Sequence, residues 1–173
     1  SRGIGFGIAQ SLLKTGFKIA INGVREEQDT SEQFKEFMAG NDNITYCKGD
    51  IGTRSGRASI IDEVIRQWGV IHVLVNNAGV APKTRKDILD VAEEDYDFVM
   101  DINLKGTFFL TQEIARGMIL NKEKDTDFQG FIVNISSISS ELASISRATY
   151  CMSKAGLSML TKLMAVKMAA VNI

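Results

Sequence analysis

Ser1-Arg2-Gly3-Ile4-Gly5-Phe6-Gly7 opens the chain and runs at once into an amphipathic helix, expected from Gly5 to about Thr15 and closed by Gly16. This is the back half of a glycine-rich turn leading into a helix N-terminus. Free backbone N–H groups and the positive end of the helix dipole favour a phosphate there, and the glycines let a dinucleotide approach the backbone. Outward from this turn, apolar runs and turn residues predict strands over 17–22, 43–48, 71–76 and 130–135. Helices are expected over 29–38, 53–68, 93–120 and 147–170. Strand and helix alternating in this way make an α/β protein, a doubly wound parallel sheet with helices on both faces.

Three of these strands bring chemistry to their C-terminal ends, the edge at which open α/β sheets bind ligands. Lys48-Gly49-Asp50-Ile51 closes one strand with a carboxylate, and Ile71-His72-Val73-Leu74-Val75-Asn76-Asn77-Ala78-Gly79 ends in two amides and two small residues. Gly130-Phe131-Ile132-Val133-Asn134-Ile135-Ser136-Ser137 delivers two hydroxyls. Tyr150-Cys151-Met152-Ser153-Lys154 then sets a phenol and an ammonium four residues apart, on one face of a helix. A free phenol titrates near about 10, and a neighbouring cation favours its ionised form, so the pair is suited to moving a proton. Taken alone, Tyr-x-x-x-Lys also reads as an ordinary helix-surface pair.

Together these residues resemble the short-chain dehydrogenase/reductase family over essentially the whole chain. The family's cofactor turn, T-G-x-x-x-G-x-G, places its last two glycines on Gly3 and Gly5, and its N-N-A-G motif is Asn76-Asn77-Ala78-Gly79. Its catalytic asparagine falls on Asn103 in Asp101-Ile102-Asn103-Leu104-Lys105-Gly106, its serine on Ser137, and its tyrosine and lysine on Tyr150 and Lys154. The wording around Ser137 and Tyr150 is most similar to members described as 3-oxoacyl-(acyl-carrier-protein) reductases.

The resemblance implies a Rossmann-like fold and hydride transfer between a nicotinamide dinucleotide and a ketone or secondary alcohol. Tyr150 would donate the proton and Ser137 hold the carbonyl oxygen. Lys154 would hold the nicotinamide ribose and ready Tyr150, and Asn103 would anchor a water that relays protons. Ser136 is an alternative to Ser137, and Asn103 also reads as an amide at a helix kink. Cofactor contacts are implied at Ser1, Arg2, Gly3, Ile4 and Gly5 in the turn, and at Tyr150 and Lys154. Asp50 and Ile51 would flank the adenine, Asn76 would meet the adenine-side ribose, and Ala78 and Gly79 would keep space. Asp50 also reads as an N-cap of the next helix.

Cofactor choice turns on Ala20-Ile21-Asn22-Gly23-Val24-Arg25. By family alignment the acid that binds the ribose of NAD would stand at Gly23, where there is none. Arg2 and Arg25 suit a 2′-phosphate, so NADP is expected over NAD. Glu26 is the competing NAD-selecting acid, and both arginines also read as solvated surface. Lys83, Arg85 and Lys86 read either as an attraction for anionic substrates, an acidic carrier protein included, or as a solvated loop. His72 and Trp68 read as structural. Cys151 is not expected to be a nucleophile, because neighbouring helix positions face different ways and no histidine follows it.

The chain has 173 residues, 45% hydrophobic and 24% charged, with a formal net charge of −1. That is ordinary globular composition without a basic face for nucleic acid, and neither DNA, RNA nor a membrane is an expected partner. Cys47 and Cys151 lack metal-ligand spacing, so no metal is expected and a reducing, cytoplasmic setting is. The expected organisation is a single dinucleotide-binding domain spanning residues 1–173 and clipped at both ends. The family's sheet order, 3-2-1-4-5-6, puts its first strand between the two halves, and the sequence begins after that strand. The last helix is apolar nearly all round from Ala155 to Val171, so a homo-dimer or homo-tetramer through the two long helices is expected. The leading reading is an NADP-dependent reductase of a small-molecule or acyl-thioester carbonyl. The alternatives are an NAD-dependent sugar or polyol dehydrogenase and a non-catalytic dinucleotide-binding protein.

Overall fold

The computed structural model describes residues 3–173. Ser1 and Arg2, both expected at the cofactor turn, lie outside the described residues. The chain divides at Val70 and Ile71 into two compact units.

In the first unit, helix α1 (Gly3–Lys14) starts at Gly3, whose φ of 61° is open to glycine at little cost, and ends before Gly16 at φ 91°. Strands β1 (Ile19–Gly23) and β2 (Ile44–Lys48) pair in parallel, with Ile19 beside Ile44 and Gly23 beside Lys48. Helix α2 (Glu32–Met38) is preceded by a 3-10 turn over Glu27–Asp29, so the helix expected from 29 is shorter and begins later. The core is aromatic and aliphatic. Phe6, Ala9, Ile19, Ile21, Phe34 and Ile44 are buried together, and the Phe34 ring sits edge-on to Phe6 at 5.9 Å and to Tyr46 at 5.8 Å. Burying a side chain of that size contributes about 1.5–3 kcal/mol. Helix α3 (Arg54–Trp68) is capped by Thr53, which accepts from the Gly56 N–H at 3.1 Å, and is closed by left-handed Gly69.

In the second unit, β3 (Val73–Asn76) and β4 (Phe131–Asn134) form a second parallel pair, Val73 beside Phe131 and Asn76 beside Asn134. Among the described residues no strand joins the two sheets. The helix expected over 93–120 is not uniform. It runs as α4 (Glu93–Met100), a six-residue π segment (Asp101–Gly106) and α5 (Thr107–Lys124). Such wide turns recur where a helix must present a residue out of register, and here the segment contains Asn103, 1% exposed. Helix α6 (Ala148–Ala169) buries Leu157, Leu160 and Met168, yet leaves Met152, Met159, Leu163 and Val166 exposed.

Candidate active site

The site of the second unit is built where β3 and β4 end and the first turns of α6 begin. Lys154, on α6, is buried, and its Nζ donates to the Ile135 carbonyl at 2.8 Å, just past the end of β4. Burial lowers its pKa, because desolvation disfavours the ammonium and no carboxylate pairs with it among the described residues. The Tyr150 ring centroid lies 5.8 Å from Lys154 Nζ, and the Arg147 guanidinium carbon lies 5.9 Å from that same centroid. The phenol is half-buried, and its Oη makes no hydrogen bond with a described residue.

The two serines after β4 part company. Ser136 Oγ lies 2.9 Å from Ser158 Oγ and 3.3 Å from the Lys154 carbonyl, which ties it to the body of α6. Ser137 begins a 3-10 turn (Ile138–Ser140), and its Oγ accepts from the Ser139 N–H at 3.1 Å. That contact leaves the Ser137 hydroxyl hydrogen free to donate.

Asn103 is held from three directions. Its Oδ1 accepts from the Val80 N–H at 2.7 Å, and its Nδ2 donates to the Val80 carbonyl at 2.9 Å and to Ser153 Oγ at 3.1 Å. Ser153, fully buried, donates in turn to the Tyr150 carbonyl at 2.8 Å. A continuous hydrogen-bonded path therefore runs from the loop after β3, through the π segment, to the turn of α6 that carries Tyr150. Gly79 lies beside it: a Cβ there would stand 3.3 Å from Asn103 Oδ1 and 3.7 Å from Lys154 Nζ. Ala78 and Gly79 are exposed, so a small-residue surface adjoins the buried lysine. Asn76 is placed differently from the ribose contact expected of it. It is buried, and its Nδ2 donates to Thr111 Oγ1 and Asn134 Oδ1, both at 2.8 Å, which makes its amide a tie between β3, β4 and α5.

In the first unit, Gly3 and Ile4 sit exposed at the start of α1, with Gly5 partly covered. At the end of β1, a Cβ on Gly23 would fall 2.4 Å from Tyr46 Oη, and that hydroxyl donates to the Arg25 carbonyl at 2.9 Å. The Tyr46 side chain thus fills the space that a side chain at Gly23 would need. Its pKa is raised by burial first and by Glu27 and Glu26 next. Glu26 is ion-paired with Lys48, while Arg25 is exposed. Asp50 does not cap α3, since Thr53 does; Asp50 Oδ1 instead accepts from the Gly52 N–H at 2.8 Å. Ile51 is buried, and the buried Arg57 donates from Nη1 to its carbonyl at 2.7 Å.

The remaining candidates are accounted for by packing. His72 stacks on Phe128 with centroids 5.1 Å apart, Lys83 Nζ lies 4.6 Å from the Phe98 centroid, and Lys86 pairs with Asp95 at 2.6 Å. Burial pushes the Cys47 thiol up to about 11, which makes it unreactive at neutral pH. Among the described residues no cluster of His, Cys, Asp or Glu suits a metal ion.

The sequence reading passed over Ser153, Tyr46 and Arg147. For Ser153 a signal existed: a serine inside a helix commonly bonds a carbonyl three or four residues back, which from position 153 reaches Tyr150.

The short chain dehydrogenase family profile matches residues 1–173, and the chain belongs to that family. It is 32% identical over 171 residues to a 3-oxoacyl-(acyl-carrier-protein) reductase of Staphylococcus aureus, an alignment covering 98% of this chain and 66% of that protein. The Brucella melitensis 3-oxoacyl-(acyl-carrier protein) reductase solved in complex with NAD superposes with a TM-score of 0.85 at 34% identity, covering 98% of this chain and 65% of that one. A gluconate 5-dehydrogenase of Burkholderia cenocepacia, solved with NADP and tartrate, superposes with a TM-score of 0.83 at 33% identity, covering 99% and 64%. The fold is accordingly the Rossmann-like α/β fold of this family. The chain spans about two thirds of the length of the relatives it matches.

Proposed function

We propose that the protein is an oxidoreductase that interconverts a ketone and a secondary alcohol with NADP. The observation that carries this reading is the buried, carboxylate-free Lys154 beside the Tyr150 phenol, whose Oη has no partner among the described residues. A structural lysine would be paired or solvated. The exposed Ala78 and Gly79 next to Lys154 Nζ suit a bound ribose, because a side chain at Gly79 would stand against that ammonium. Gly3, Ile4 and Gly5 at the start of α1 suit a pyrophosphate. When bound, the dinucleotide supplies or accepts the hydride.

The chain's own residues handle the proton and the oxygen. Tyr150 gives its phenolic proton to the oxygen of the ketone being reduced. Lys154 offsets the negative charge left on the tyrosine, and Ser137 donates to the same substrate oxygen as charge builds there. A donor whose bond strengthens along the reaction lowers the barrier rather than only binding substrate. Asn103 has both amide hydrogens committed, so a relay water at that position would fall to its backbone carbonyl or the second lone pair of Oδ1. Ser136, tied to Ser158, is the weaker candidate for the catalytic serine.

For the cofactor, support for NADP comes from the missing acid at Gly23, the Tyr46 ring filling its place, and the pairing of Glu26 with Lys48. One relative was solved with NAD and another with NADP, so the choice is tested directly. Arg2→Ala with Gly23→Asp, made on a Tyr46→Ser background to clear room, should shift the NADPH-over-NADH ratio of kcat/KM toward NADH. An unchanged ratio would remove the assignment. The apolar residues left exposed on α5 and α6 support a homo-dimer or tetramer through these helices, and a monomeric sedimentation profile would argue against it. Two free thiols fit a reducing cytoplasm.

The decisive test is a panel of ketones, including acyl thioesters and oxo sugars, assayed with both nicotinamide cofactors on the full-length protein. Turnover of none of them would end the reductase reading.

A further inference from the structure

Two cations stand beside the Tyr150 ring, and they differ in their surroundings. Lys154, four residues on, faces Gly79 and Asn103 and donates to the Ile135 carbonyl. Arg147, three residues back, lines a groove with Pro82, Thr84, Lys86, Asp95 and Thr149. Arg147 is the N-cap residue that precedes α6 and Lys154 lies within the helix, and the two cations stand 5.9 and 5.8 Å from the Tyr150 ring centroid. The other charges in the groove neutralise each other, since Lys86 and Asp95 are paired at 2.6 Å. The Arg147 guanidinium has no carboxylate within ion-pair distance among the described residues, and it lies over the Tyr150 ring at 5.9 Å from the centroid. A half-buried guanidinium whose donors are unshared among the described residues, next to a reacting phenol, is matched by a planar anion.

We propose that Arg147 is a specificity-determining residue and that the substrate of this site carries a carboxylate close to its reacting carbonyl, an oxo acid or hydroxy acid rather than a neutral ketone. This rests on the oxidoreductase reading above. The Lys154 side of Tyr150 is the side proposed for the ribose, which leaves the Arg147 side of the ring for the substrate. There the guanidinium pairs with the carboxylate in a fork geometry, while Tyr150 and Ser137 meet the carbonyl oxygen. A neutral acyl thioester offers the guanidinium no such anion beside the carbonyl.

The test compares short oxo acids, 4-oxopentanoate and 5-oxohexanoate, with their methyl esters, using the full-length protein, the preferred nicotinamide cofactor and the Arg147→Gln and Arg147→Lys variants. The wild type should favour acid over ester. Arg147→Gln should lower the acid-to-ester ratio of kcat/KM by roughly ten- to a hundredfold, the size expected for losing a charged hydrogen bond. Arg147→Lys should recover part of it, because the charge remains but the fork is lost. Turnover of both substrate types with an acid-to-ester ratio that Arg147→Gln leaves unchanged would overturn this inference and leave the reductase reading standing. No turnover of acid or ester with either nicotinamide would overturn this inference, and the reductase reading falls with it only if the wider ketone panel also fails.

Discussion

The two units meet the demand for a buried interior with different chemistry. Residues 3–70 close mainly over rings and branched aliphatics, with Phe6, Phe34, Phe37 and Tyr46 in edge contacts and Thr30 and Arg57 the buried polar residues, and keep their candidate ligand groups, Gly3, Ile4 and Arg25, at the surface. Residues 71–173 bury Asn76, Asn103, Thr107, Thr111, Ser153 and Lys154 among their apolar side chains. An apolar core tolerates approximate fit, whereas a buried polar group must have its partner or lose about 1–3 kcal/mol. The first unit therefore rests mainly on apolar packing, and the second fixes individual side chains at set positions. Mutations should separate along that line, the first unit losing stability and the second losing geometry.

The largest effect is expected at Tyr150. Tyr150→Phe keeps the ring beside Arg147 and Lys154 but removes the transferable proton, so kcat should fall by about a thousandfold or more, within the range of general acid catalysis. Cofactor affinity, followed by fluorescence titration, should persist. Activity within tenfold of wild type would remove the second unit's claim to the chemistry.

In the first unit, Phe34→Ala should reduce stability by about 3–5 kcal/mol in urea denaturation, because a fully buried ring leaves a cavity. A loss below about 1 kcal/mol would show that this core is looser than its contacts indicate. Ser153→Ala should lower stability by about 1–3 kcal/mol, since an Asn103 N–H would be left unpaired in the interior. It should also lower kcat with little change in KM, and Ser153→Thr, which restores the hydroxyl, should recover part of the rate. An equal stability loss with unaltered kcat would reduce the Asn103–Ser153 path to scaffolding.

A gentler trend is expected with pH. Burial holds the Lys154 pKa below its unfolded value of about 10.4. At pH below the folded value both states are protonated and the burial penalty is complete. As pH rises through the folded value the native lysine loses its proton first, so stability rises until the unfolded lysine titrates as well. The stability of wild type relative to Lys154→Met should therefore climb on the alkaline side, and a flat difference would contradict the burial of this charge. The smallest effect should be Thr53→Ala at the start of α3, about 1 kcal/mol with no specific effect on turnover.

Much of this was legible along the chain. The turn at Gly3 and Gly5, the ends of β2, β3 and β4, and the spacing from Ser137 to Tyr150 and Lys154 are local patterns, and periodicity together with the family motifs located them. Less legible was whatever depends on two distant segments meeting. The uniform helix expected over 93–120 contains a π segment, and the Asn103 amide in that segment is bound to Val80, 23 positions away. Asn76 reads as a ligand contact at the end of a strand, yet its partners are 35 and 58 positions away, and it ties elements together instead. Gly23 reads as the absence of an acid, but only the Tyr46 ring lying over it accounts for that absence sterically.

By itself, then, the sequence determined the α/β order, the family and the residue types of the candidate site, because each is carried by spacing within a turn, a strand or one face of a helix. Only the tertiary structure decided that Ser136 rather than Ser137 is tied to Ser158 and that, among the described residues, Lys154 is buried without a carboxylate and Arg147 stands beside Tyr150 without an ion pair. Those outcomes follow from hydrogen-bond pairing and desolvation across elements, where one partner's position is set by residues far from it in the chain.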